Sequence, residues 1–113
     1  MIRVKLIFLL FLTILTGNLL AQNCAYPPLV EIPDGATATL DQMVAAQGNI
    51  QTFIADMTDY QDCINNALEV AGDDATDEFR AIMIGRFNAA ATEIEAVAAS
   101  FNEQIAAFRA ANQ

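Results

Sequence analysis

From Met43 onward, apolar side chains recur at alternating spacings of three and four. One row holds Met43, Ile50, Met57, Ile64 and Ala71, and the row between holds Ala46, Phe53, Tyr60 and Ala67. A repeat averaging about 3.5 residues keeps both rows on one stripe of a helix, and a stripe this long is the seam of a coiled-coil-like pair. Asp, Asn, Gln and Thr fill the opposite face. Thr39, with Gln42 three residues on, forms a capping box that starts the helix near Thr39. Ala71-Gly72-Asp73-Asp74 ends it, with a glycine stop followed by carboxylates able to cap a second helix.

The pattern resumes from about Ala75 to Ala110. Phe87, Ile94, Phe101 and Phe108 alternate with Met83, Ala90 and Val97, and the seam drifts toward Ile84, Ala98 and Ile105. Such drift is expected when a 3.6-residue helix is read on a 3.5-residue grid. Phe87-Asn88 recurs as Phe101-Asn102, a repeated packing layer. Folding the chain back about Gly72 sets Tyr60 against Gly85, Met57 against Phe87 and Asn88, and Phe53 against Ala91, large side chains on small ones. The fold class is all-α, an antiparallel two-helix hairpin over residues 39–113.

Residues 22–38 cannot join either helix. Pro27, Pro28 and Pro33 exclude helical backbone and favour an extended or polyproline II strap. Ile32-Pro33-Asp34-Gly35 matches a type I turn, so the chain reverses there. The strap then runs antiparallel along helix 1 and lays Leu29, Val30 and Ile32 on apolar surface that two helices leave uncovered. Gly48, inside helix 1, is either simply tolerated there or a place where Pro33 or the turn comes close to the helix backbone.

The first 21 residues are a different object. Arg3 and Lys5 precede an apolar run from Leu6 to Leu15, broken only by Thr13, and Leu19-Leu20-Ala21 places a small residue at the cut. That is the layout of a cleaved secretory signal, shorter than the roughly 20 apolar residues a membrane span needs. Cleavage after Ala21 leaves no stable membrane anchor and a periplasmic or secreted product. Asn23 stands where a lipobox has a small residue, which leaves Cys24 unmodified. Disulfides persist in an exported protein, and two cysteines allow one pairing, Cys24 with Cys63. Residues 39 to 63 span about 36 Å of helix, and the fifteen residues before Thr39 reach about 50 Å extended. The bond is within reach, and in the chain-entropy model it stabilises by about 4 kcal/mol.

Charge and composition narrow the function. The net charge of −9 includes Arg3 and Lys5, so the exported chain is more negative still. Such a field repels nucleic acid and anionic lipid. Beyond the leader there is no His, no Lys and one serine, Ser100. A nucleophile with a base beside it cannot be assembled, and a two-helix hairpin offers no cleft for a carboxylate pair. No catalytic residue, cofactor site or metal ligand is assigned. Asp56, Asp59 and Asp62 form an acidic stripe, and Asp73, Asp74, Asp77 and Glu78 crowd the hairpin tip. Neither has the spacing of a calcium-binding loop.

Cys24, Pro27-Pro28, Ile32-Pro33-Asp34-Gly35-Ala36, Met43-Val44-Ala45-Ala46-Gln47, Tyr60-Gln61-Asp62-Cys63 and Phe101-Asn102-Glu103-Gln104 resemble a group of short exported bacterial helical proteins across most of the exported length. The resemblance implies export and the two-helix layout, and brings no catalytic residue. Apolar residues off the seam, Val44, Ile54, Val70 and Ile82, mark an interaction face. The leading expectation is a non-enzymatic structural or interaction module of the cell envelope, bound to a protein partner or to itself. A holdase-like chaperone using the same surface and an acidic cation-binding protein are the alternatives.

Overall fold

The computed structural model describes residues 24–113; the leader, Gln22 and Asn23 lie outside the described residues. Two long helices make the hairpin. Helix α1 spans Leu40–Ala71, and its first turn is closed by the expected box: Gln42 N–H donates to Thr39 Oγ1 at 3.2 Å, and Thr39 N–H donates to Gln42 Oε1 at 2.8 Å. Gly72 ends α1 with φ at +52°, a left-handed conformation that side chains disfavour. The Arg80 guanidinium reaches back to donate to the Gly72 carbonyl, placing a cation at the negative end of α1.

A short 3-10 turn, Gly72–Asp74, leads to helix α2 at Asp77–Ala111. The start differs from the expectation of Ala75 capped by Asp73 or Asp74. Both aspartates are taken up in the turn, and Thr76 caps instead, its Oγ1 accepting from Phe79 N–H at 3.1 Å. Asp77 and Glu78 occupy the first turn of α2, where carboxylates favour the exposed N–H groups.

The seam holds as the periodicity predicts. Met43, Ala46, Ile50, Phe53, Met57, Tyr60, Ile64 and Ala67 are buried on α1, and Met83, Ala90, Val97 and Phe101 on α2. Met57 and Ile64 are sealed from solvent, each burial contributing about 1.5–3 kcal/mol. Phe79, Phe87, Ile94, Ile105 and Phe108 pack around this core. The register differs. Gln61 Nε2 donates to the Phe87 carbonyl at 3.2 Å, whereas folding about Gly72 sets position 61 against position 84. The 3-10 turn lengthens the connection and shifts the pairing by three residues, close to one helical turn. Gly85 does not face Tyr60 either: it stands off the seam, between Met83 and Phe87 on the outer face of α2, with nothing within 4 Å of where a side chain would begin.

Tyr60 finds its partner in the strap. Its ring meets Tyr26 edge-on, with centroids 5.2 Å apart. Cys24 is bonded to Cys63 with the two Cα atoms 5.7 Å apart, and Val30 and Ile32 pack on the core while Pro27 is buried. Leu29, expected on the same surface, is 76% exposed, because extended backbone turns alternate side chains outward.

The far end of the strap corrects two further expectations. The turn is formed by Asp34 and the residues after it: Thr37 and Ala38 N–H both donate to the Asp34 carbonyl, and Ala36 N–H donates to Asp34 Oδ1 at 3.0 Å. Aspartate's local acceptors place the reversal two residues later than proline alone predicts. The close approach belongs to Gly35 against α2, and Gly48 has no neighbour within 4 Å. Gly35 N–H donates to Gln104 Oε1 at 2.9 Å, and a Cβ there would stand 1.8 Å from the Gln104 carbonyl oxygen. Glycine is needed because the backbone of α2 fills the space. The strap is therefore pinned at both ends, to α1 by the disulfide and to α2 by Gly35.

Candidate functional site

The strap divides the hairpin into two unlike sides. Residues three to four apart share a helix flank, so the anchors identify which flank the strap covers. Cys63 holds it on α1, and Tyr26 lies near enough to Glu93 on α2 for that carboxylate to act on its phenol. Glu93, Ser100 and Ala107, one heptad apart, are half-buried along this flank. The opposite flank is the one from which Gln61 reaches Phe87. On α1 it carries Leu40, Gln47, Ile54, Gln61 and Leu68, with Val44, Gln51, Thr58 and Asn65 just beyond. On α2 it carries Ile84, Ala91, Ala98 and Ile105, bordered by Ala81, Asn88, Glu95, Asn102 and Arg109.

This strap-free side is nearly without charge. Of the fourteen carboxylates in the chain, Glu95 alone stands on it between Ala81 and Arg109, and none stands on the α1 half. Asp41, Asp59, Asp62 and Glu69 all point elsewhere by helical position and are exposed. Several apolar side chains meet solvent here: Leu40 is 63%, Val44 59% and Ile84 51% exposed. At the open end of the hairpin the side hollows into a shallow groove of about 330 Å³, lined by Leu40, Met43, Val44, Gln47, Phe101, Ile105, Phe108 and Arg109.

The four residues marked as an interaction face by their position off the seam are separated by this geometry. Val44 and Ile54 lie on the strap-free side, Val44 exposed and Ile54 half-buried against the core. Val70 and Ile82 are exposed but lie on the strap side, toward the hairpin tip. Leu40, Ile84 and Ile105 complete the strap-free apolar set. The signal for Ile84 and Ile105 was in the sequence as the drift of the α2 seam, Leu40 carried none, and only the position of the strap tells an uncovered flank from a covered one.

Chemistry on this scaffold is sparse. Cys24 and Cys63 are joined, and among the described residues no cysteine is free. Ser100 lies half-buried on the strap flank. The acidic stripe and the acidic tip stay dispersed, and among the described residues no three carboxylates converge on a point able to hold a metal ion. Among the described residues Tyr26 is the one perturbed group: burial, then Glu93, then Tyr60 push its phenol above its usual value near 10. No helix among the described residues is long and apolar enough to cross a membrane. Comparison with family models, curated proteins and solved structures returns no match to this chain.

Proposed function

We propose that the chain is a non-enzymatic, exported structural or interaction module of the cell envelope, and that it works through the strap-free side of the hairpin. One observation carries this reading. A strongly acidic protein keeps a face about 42 Å long by helix rise, from Ala81 to Arg109 on α2 and from Leu40 to Leu68 on α1, with Glu95 its one carboxylate and Asp77 just beyond its end, and with apolar side chains exposed along it. Solvated faces gain nothing from losing charge, whereas interfaces are depleted of it. Export is supported by the leader pattern and by a disulfide that lasts only in an oxidising compartment. The absence of His and of Lys beyond the leader, and the oxidised state of both cysteines, support a non-enzymatic role.

The test is site-specific photo-cross-linking in cells. A cross-linker at Val44 gives one defined adduct, and the same group at Asp62, on the acidic side, gives none. Absence of an adduct at Val44, or equal adducts at both positions, contradicts the reading.

A further inference from the structure

We infer that the strap-free side is a self-association face, where a second copy of this chain packs to form a two-fold four-helix bundle with the straps outermost. The inference rests on the interaction reading above and adds the identity of the partner. Electrostatics selects the face. A two-fold contact sets a patch against its own image, and on the outer face of α1, along the strap flank and at the hairpin tip that would set carboxylates against carboxylates. The strap-free side, with Glu95 and Arg109 as its charged members between Ala81 and Arg109, is the exception.

Its chemistry also suits its own image. Gln47, Gln51, Asn65, Asn88 and Asn102 carry amides that both donate and accept, so each can pair with an identical group across a two-fold axis. Between them Leu40, Val44 and Ile84 offer apolar surface that is already exposed. Size is adequate as well. The low-charge stretch is about 42 Å long, and two helices side by side present roughly 800 Å² over it, matching the roughly 800 Å² per partner of a standard interface. The result is a bundle in which each hairpin closes the side its own strap leaves open.

Sedimentation equilibrium of the full chain, expressed with its leader into an oxidising compartment, reads the outcome. The wild-type protein is expected at the mass of two copies. V44E/I84E places carboxylates on the face and weakens association at least about tenfold, while circular dichroism stays unchanged because both side chains are exposed. V70E/I82E, on the strap side, associates like wild type. A wild-type monomer at every concentration, or equal loss in both double variants, overturns the inference. If that monomer still gives one adduct to a different protein from Val44 in cells, the interaction reading stands and self-association alone fails; without an adduct both fail.

Discussion

Glycines show most sharply what single residues contribute. Two of them look alike in the sequence, and the structure gives them opposite meanings. Gly35 lies against the Gln104 carbonyl, a backbone atom that cannot swing away. Gly35→Ala is expected to destabilise by about 1–3 kcal/mol, the range for overpacking, and denaturant titration measures it. Gly85 faces open space, so Gly85→Leu is expected to stabilise by up to about 1 kcal/mol through helix propensity. Tyr60→Ala removes a buried ring packed on Tyr26 and costs about 3 kcal/mol. The last two variants moving in opposite directions distinguishes the observed register from one that sets Tyr60 over Gly85. Tyr26 supplies a pH signature. Its phenol is raised, so the folded state holds the proton more tightly than the unfolded one, and the stability this contributes is complete below about pH 10 and lost as pH climbs through the folded value. Ultraviolet titration should show Tyr26 ionising above the usual range, with Tyr26→Phe removing that step.

Among the elements, what the sequence made legible was whatever depends on local periodicity. Both helices, the Thr39–Gln42 box and the identity of the seam residues follow from spacing, because burial repeats with the helix. Thr39→Ala is accordingly expected to cost about 1 kcal/mol, visible as a lower thermal midpoint. Features set by contacts between elements were less legible. A three-residue change in register leaves every seam residue in the seam, so the pattern cannot report it, and the turn Gly72–Asp74 that causes it carries no apolar signal. The strap shows the same division. Its prolines predict extended backbone, and the eleven steps from Cys24 to Gly35 cover about 34 Å. Its docking through Gly35 depends on Gln104, 69 residues away. The interaction face was legible only as apolar residues off the seam. Which of them lie together depends on the flank the strap covers.

The molecule as a whole is a hairpin made one-sided by its strap. The bond between Cys24 and Cys63 closes a loop of sequence separation 39, and its reduction is expected to lower stability by up to about 4 kcal/mol, read from denaturant midpoints with and without reductant. With one flank sealed, thirteen of the fourteen carboxylates stand off the strap-free face between Ala81 and Arg109. That partition of charge is the central claim, and the salt dependence of self-association tests it most directly. Raising ionic strength from about 0.05 M to about 0.5 M shortens the Debye length from about 14 Å to about 4 Å. Two acidic copies meeting through an almost uncharged face repel only through the charges around it, so screening should strengthen the dimer in sedimentation equilibrium. A dimer that weakens with salt would mean that carboxylate–arginine pairs hold it together, and would contradict the assignment of the face.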